Sequence, residues 1–400
     1  MHKRLLPVAM RILIVSETLA AGGAETFVVR LANALADTHE VTIAVMHGEL
    51  TNAALLAQVG AAVRVEQLTY PAKRLLSKVD GLARTVGADA SAMRAMQRRW
   101  LERLIRRIEP DIVHSHLLKA DRLVVETRGT RPTMRHIVTL HGDYAPFLTG
   151  AADPKMPGLA GWMERIMRSA DKIVAICAEH HAFVRKHFPA ELGKTVTIHN
   201  GFAPWRPPVA QDGGPKRRLM FVMASRGVKL KGWAKAIAAF GRLNPGSAEL
   251  ILVGEGAYLD QLSAGPVPPG VRFVGFSDNP VDWIAGADVG LLPSEFPYEC
   301  LPTAVMEYLY CGKPVIATDV GEVATMIGGA GMLLPFEDQR ISVDDLTAAM
   351  QAYVDDPALR ARHAALAPAA FAKFDMGRCA AAYASLYAEV TTSSSTKASH

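Results

Sequence analysis

The chain has 400 residues, half of them hydrophobic and 21% charged, with 44 Lys/Arg against 39 Asp/Glu for a net charge of +5. At ~100–200 residues per domain that length calls for two or three domains, and the composition excludes a wholly disordered chain, a collagen and a disulfide miniprotein. The charge is uneven: residues 1–205 hold 27 Lys/Arg and 19 Asp/Glu, a net +8, whereas residues 206–400 hold 17 and 20, a net −3.

The first predicted strand is the β-branched run 11–16 (RILIVS), which ends in a glycine-containing turn at 20–25. A helical pattern follows through Phe27, Leu31, Ala34 and Leu35, and then a second strand at 41–46. Strand-like runs recur at 112–114, 136–140, 172–176 and 196–198, with helical stretches between them. Apolar strands alternating with helices form βαβ units and a parallel sheet. Residues 204–215 hold four prolines and two glycines and read as a linker. The alternation then restarts, with strands at 219–224, 249–253, 271–274, 289–292, 314–317 and 332–334. Helices fit 232–242, 303–310, 343–354 and 358–372, and residues 391–400 are a small, polar, disordered tail. Two open sheets place ligands beyond the carboxyl ends of their strands, so the cleft between two such domains is the expected site. Cys177, Cys300, Cys311 and Cys379 include no C-x-x-C pair, which reads as a reduced, cytoplasmic protein. No signal peptide and no uncharged apolar run of about 20 residues is visible.

Residues 287–321 carry the most chemistry. A strand ends at Pro293 and Ser294, a short loop supplies Glu299, and a helix beginning near 301–303 carries Glu307. The free N–H groups of that helix end attract phosphate through their unpaired donors and the helix dipole. A carboxylate on each side can accept hydrogen bonds from hydroxyls. The set suits a nucleotide-sugar, with hydroxyls at both ends and a diphosphate between. From spacing alone, a solvated loop acid and a helix-surface acid are the plainer reading, since Glu is common. Gly254-Glu255-Gly256 lacks the third glycine of a dinucleotide fingerprint, because position 259 is Leu, so no NAD role is expected.

Glu299 and Glu307 with seven residues between them, followed by 312–317 (GKPVIA), resemble the signature of retaining glycosyltransferase family 4. The resemblance spans nearly the whole chain: Gly22-Gly23-Ala24-Glu25, 111–116 (DIVHSH), Leu140-His141-Gly142, 198–202 (IHNGF), Ser225-Arg226 with Lys231-Gly232-Trp233, and Val253-Gly254-Glu255-Gly256. It implies the α/β GT-B fold, two Rossmann-like domains with parallel sheets facing a cleft. The domains would be 1–205, for the acceptor, joined by a returning C-terminal helix at about 376–390, and 206–375, for the donor.

The resemblance also implies roles. Arg226 and Lys231 would bind the donor diphosphate and stabilise charge on the leaving group. Glu307 would accept from the ribose, Glu299 from the donor sugar, and the backbone at Cys300, Leu301, Pro302 and Thr303 would cradle sugar and phosphate. Cys300 departs from the pattern, since many members have Gly there; a pocket-lining thiol is expected, not a nucleophile. Gly22 and Gly23 would let the first loop approach the diphosphate, although a plain turn also fits. His141 would contact the donor sugar. His116 and Asp143 are weaker acceptor candidates, and a structural histidine and a helix-capping carboxylate fit them as well. No Asp-x-Asp triplet occurs, so no cofactor and no metal are expected. The partners are a nucleotide-sugar, with UDP or GDP, and a saccharide or lipid-linked acceptor in cell-surface polysaccharide or glycolipid synthesis. The rival readings are a sugar-nucleotide epimerase of the same fold and a non-catalytic nucleotide-sugar-binding protein.

Residues 91–108 are amphipathic, with Met93, Met96, Trp100, Leu104 and Ile108 at helical spacing and six arginines, Arg94, Arg98, Arg99, Arg103, Arg106 and Arg107. With Lys73, Arg74 and Lys78 this 73–107 region reads either as a peripheral contact to an anionic membrane face or as a solvated helix surface. No zinc spacing, recognition helix or aromatic–basic sheet pattern points to nucleic acid.

Overall fold

The computed structural model describes residues 9–20, 22–70, 91–131, 133–142, 144–148, 159–209, 218–297 and 299–392. Asp143, Lys73, Arg74, Lys78, the second half of the expected linker and the tail from 393 lie outside them. The chain divides into two compact units, Met1–Gly201 with Met376–His400, and Phe202–Asp375.

In the first unit the strands are β1 (Arg11–Ser16), β2 (Glu40–Val45), β3 (Arg64–Gln67), β4 (Ile112–His116), β5 (Arg135–Leu140), β6 (Lys172–Ala175) and β7 (Thr195–Thr197). They lie in the order β3-β2-β1-β4-β5-β6-β7, every neighbouring pair parallel. β3 was not legible in the sequence, and β4 runs two residues further than its apolar signal, through Ser115 and His116. Covered on both faces, β1 buries Ile12 to Val15 completely. One cover is the helix Ala92–Ile108. Its buried stripe is Gln97, Leu101, Leu104 and Ile105, packed with Leu13, Val15 and Val113. Met93 and Met96, expected in that stripe, lie outside this core; the face is centred on Leu101 and not on Met96, with Trp100 and Ile108 at its margin.

The second unit holds β8 (Leu219–Ala224), β9 (Ala248–Val253), β10 (Val271–Gly275), β11 (Val289–Leu292), β12 (Val315–Thr318) and β13 (Gly331–Leu334), in the order β10-β9-β8-β11-β12-β13, again all parallel. Successive strand residues feed opposite faces. Phe221, Met223, Leu250 and Leu252 meet Trp233 and Phe240 of one helix layer. Val222, Ala224, Ile251 and Val253 meet Val305, Tyr308 and Leu309 of the other. Tyr308 lies against Gly290, where a Cβ would come within 2.3 Å of its ring. Its hydroxyl accepts from Ala224 N (3.0 Å) and donates to Leu291 O (3.0 Å), which pins the helix Thr303–Tyr310 across β8 and β11.

The division falls at 201/202, four residues before the expected 205/206. Phe202 forms a bridge with Asp375, and its N–H donates to Phe374 O (2.7 Å). Residues 204–209 lie along the second unit. Arg206 pairs with Asp282 (3.0 and 2.5 Å), and Val209 N donates to the same carboxylate (3.0 Å). The helix Met376–Thr392 belongs to the first unit and brings Tyr383 and Tyr387 into its interior.

Candidate functional site

In both sheets the strand order reverses beside the central strand, between β1 and β4 and between β8 and β11. Open α/β sheets take ligands at such points, beyond the carboxyl ends of the strands.

In the second unit, β8 leads into Ser225, Arg226 and the short turn Lys229–Lys231, while β11 leads into the loop of Ser294 and Glu299. Lys231 and Glu299, 68 residues apart, form a buried ion pair between Nζ and Oε1. Ser294 Oγ donates to the same Oε1 (2.8 Å), and Phe296 N donates to Ser294 Oγ (3.2 Å). The ammonium also lies 5.4 Å from the centre of the Phe296 ring. Two glycines make this geometry available. Gly232 has φ +83°, and a Cβ there would sit 1.8 Å from Pro293 O. Gly321 has φ +56°, and a Cβ there would sit 1.8 Å from Glu299 O. Both positions require the left-handed region and a close backbone approach, which only glycine supplies without strain.

The Arg226 side chain is exposed, and its carbonyl accepts from Trp233 Nε1 (2.9 Å). Gly227 and Gly256 pack backbone to backbone, with Gly227 N donating to Glu255 O (2.8 Å). The Gly-Glu-Gly segment therefore joins two loops. Cys300 is a buried free thiol, and its carbonyl accepts from Glu322 N (3.3 Å). Leu301 is half-buried and Pro302 buried. Pro302 occupies the N-cap position of the helix Thr303–Tyr310 but offers no side-chain hydrogen bond, and the first turn holds no acid. That helix end keeps its dipole unopposed. Glu307 is buried, which removes the reading of a solvated helix-surface acid.

In the first unit, Gly22 caps the helix Gly23–Leu35. A Cβ on Gly22 would meet Glu25 Oε2 at 2.3 Å, and Glu25 Oε1 accepts from Thr18 Oγ1 (2.9 Å). The glycine makes room for the chain's own carboxylate, so an anion approaching this helix end meets Glu25. His141 follows β5 and is half-buried. Its Nε2 lies 2.9 Å from His116 Nδ1, and its backbone N–H donates to Tyr144 OH (3.0 Å). Burial, helped by the neighbouring His180, pushes the His141 pKa down to about 3, so the ring is neutral at pH 7. His180 in turn bonds Gly142 O (2.7 Å).

His116, expected at an acceptor, is wholly buried as the last residue of β4 and cannot touch one. Its ring lies 4.1 Å from that of His114. His114 Nδ1 bonds Tyr387 OH (2.8 Å), and its Nε2 bonds Thr139 Oγ1 (2.7 Å), which also meets Tyr383 OH (3.0 Å). Burial lowers His114 and His116 well below the usual histidine range. Sequence reasoning missed this network, and also Ser294 and Gly321. It missed as well a cavity of about 310 Å³ near the end of β2, where Glu126 lies between Arg94 (3.6 Å) and Arg122 (3.0 Å). Arg94 is thereby turned from the exposed face that Arg98, Arg99, Arg103, Arg106 and Arg107 share. On that face Arg98 pairs with Glu102 and Arg107 with Glu66.

Residues 21–206 match the family described as Glycosyltransferase Family 4, and residues 216–356 match that described as Glycosyl transferases group 1. The chain is 26% identical over 317 residues to a D-inositol 3-phosphate glycosyltransferase of Xylanimonas cellulosilytica, a match covering 70% of this chain and 72% of that protein. The fold is similar to that of Anabaena HepE solved in complex with UDP (TM-score 0.72, 20% identity, 95% of this chain and 100% of that one). It is likewise similar to a sucrose-phosphate synthase of Thermosynechococcus elongatus (TM-score 0.73, 18% identity, 96% and 100%). Two parallel-sheet, Rossmann-like units are thus the architecture shared with GT-B glycosyltransferases.

Proposed function

The chain belongs to glycosyltransferase family 4, and from that premise we propose that it moves a hexose from a nucleotide diphosphate donor, with retention at the anomeric carbon, to a saccharide or lipid-linked acceptor of cell-surface polysaccharide or glycolipid synthesis. The observation that carries this reading is the convergence of Lys231, Glu299 and the uncapped end of the helix Thr303–Tyr310 at the switch point of the second sheet. A fixed ammonium, an exposed guanidinium at Arg226 and a helix end form a ready electrostatic site for a leaving diphosphate. The charge of Lys231 is held in place by Glu299, so little reorganisation is needed when charge develops. Glu299 keeps a second oxygen for a sugar hydroxyl, and Glu307 serves the ribose. These cations take the role of a metal, so activity should survive a chelator.

In the proposed reaction the bond from the anomeric carbon to the phosphate oxygen breaks, and its electron pair leaves on the diphosphate. The acceptor oxygen bonds the same carbon from the same face and passes its proton to a phosphate oxygen. His141, being neutral, contributes a hydrogen bond to the sugar and not a proton. UDP, the nucleotide bound by HepE, is the first base to test, with GDP as the alternative. Incubation with labelled UDP- and GDP-sugars, scored for nucleotide release and anomeric configuration of the product, tests the reading. Inversion, or no release with any donor, would sink it. Glu307→Ala should weaken nucleotide binding. The exposed arginine face of the helix Ala92–Ile108 supports a peripheral contact with anionic headgroups at the cytoplasmic face of a membrane. Flotation with anionic vesicles at low salt tests that contact.

A further inference from the structure

We infer that His116 is a positioning residue that fixes the tautomer of His141, so that His141 presents Nδ1–H as a hydrogen-bond donor at the carboxyl edge of the first sheet. The contact is a single hydrogen bond, His116 Nδ1 to His141 Nε2, of 2.9 Å. Both rings are neutral, so one of the two nitrogens carries the shared proton and the other accepts it. The choice is set at the far side of His116. Its Nε2 is buried and has no hydrogen-bond partner among the described residues.

If His141 donated from Nε2, then His116 Nδ1 would accept and its own proton would sit on Nε2. That places an N–H donor in the interior with nothing to receive it, which native structures avoid more strictly than an under-used acceptor. In the other arrangement His116 Nδ1–H donates to His141 Nε2, and the buried His116 Nε2 is a bare lone pair. His141 then carries its proton on Nδ1, which makes no hydrogen bond among the described residues on a ring that remains partly exposed. The surrounding structure keeps His116 still. It is the last residue of β4, 0% exposed, with the His114 ring 4.1 Å away and Phe27 at 6.0 Å. His114 is itself held at both nitrogens by Tyr387 and Thr139.

Under the transfer reading above, on which the catalytic consequence rests, the donor edge of His141 faces a sugar or phosphate oxygen, and reversing the tautomer offers that oxygen a lone pair instead. His116→Asn, whose amide N–H stands near the place of Nδ1–H, should preserve the donor. His116→Leu should remove it and lower kcat about tenfold, the scale of one hydrogen bond, with KM for the donor within about twofold.

Nitrogen-15 NMR of full-length protein labelled at histidine reads the tautomer directly and needs no turnover. The expected spectrum shows His141 protonated at Nδ1 in the wild type and in His116→Asn, and a mixture of tautomers in His116→Leu. A wild-type His141 protonated at Nε2 overturns the inference, as does a His116→Leu protein whose His141 signature is unchanged. UDP-induced thermal stabilisation confirms that each variant is folded. If no nucleotide-sugar is turned over by the wild type, the transfer reading fails while the spectrum still decides the tautomer.

Discussion

The two sheets share one winding plan but furnish their switch points with opposite chemistry. At the first, the carboxyl edge of β4 and β5 is a group of uncharged rings and hydroxyls: His114, His116 and His141 with Thr139, Tyr383 and Tyr387. At the second, the loops after β8 and β11 hold a formal charge pair, Lys231 with Glu299, beside an open helix end. Of the 13 histidines in the chain only His363 falls in the second unit. Neutral hydrogen-bonding groups can be buried in number at modest energetic cost when each has a partner. A buried charge tolerates far less, because removing one partner leaves the other without compensation. The first edge should therefore respond to pH and to lost hydroxyls by degrees, and the second should fail sharply when one charge is removed.

Lys231→Ala should have the largest effect. It leaves Glu299 as a buried carboxylate without its cation, which costs about 3–5 kcal/mol for pairs of this kind, and transfer should fall about 10²–10³-fold. Thermal unfolding and nucleotide release measure the two. A variant within a few degrees and a few-fold of wild type would show that the second edge is no more brittle than the first.

Acid should then separate the units. His114, His116, His136 and His141 all have folded pKa values below the ordinary histidine value, His136 and His141 down to about 3, chiefly through burial. The unfolded chain binds protons at these sites from about pH 6.5 downward and the folded chain does not. Their stabilisation is complete above that pH and is lost on acidification, at ~1.4 kcal/mol per pH unit for each group. Asp121 acts in the opposite sense. Burial raises its pKa to about 8, so between about pH 4 and that pH the folded state holds a proton that the unfolded state has already released. With His39, which burial also lowers, five groups against one favour unfolding of the first unit in acid. Hydrogen exchange at pH 7 and pH 5 should show protection lost first in the first unit; equal loss in both would break the comparison.

Gly321→Ala forces a Cβ onto Glu299 O from a left-handed backbone. It should displace the acid and lower transfer about tenfold, at a cost near 1–3 kcal/mol. The smallest effect belongs to Tyr387→Phe, which removes one hydroxyl from His114 Nδ1. About 1–2 kcal/mol of stability should go, visible in the denaturation midpoint, with UDP affinity unchanged.

The sequence announces whatever depends on neighbours along the chain. The strand runs, the restart after residue 215 and the spacing of Glu299 and Glu307 are all local patterns, and twelve of the thirteen strands had a recognisable apolar signal. β3, Arg64–Gln67, had none, since an edge strand with Glu66 and Gln67 offers no continuous apolar run. Lys231 and Glu299 could each be singled out, but their pairing could not, because β8 and β11 bring them together over 68 residues. His116 misled for a related reason: in His114-Ser115-His116 the strand signal fades before the strand does, and a buried polar terminus looks like the start of a loop. Ser294 and Gly321 shape the site through their contacts with Glu299, and no motif of their own marks them.

The helix Met376–Thr392 has a consequence for how the protein comes into being. Tyr387 reaches His114 across 273 residues and Tyr383 reaches Thr139 across 244, with the entire second unit lying between them in the chain. During synthesis from the amino terminus, the first unit leaves the ribosome early and waits, with the hydroxyl partners of two central strands still unmade, until the last helix arrives. The second unit is contiguous from Phe202 to Asp375, so all of its own chain is made before the last helix begins. The half of the protein made first is the half that is finished last.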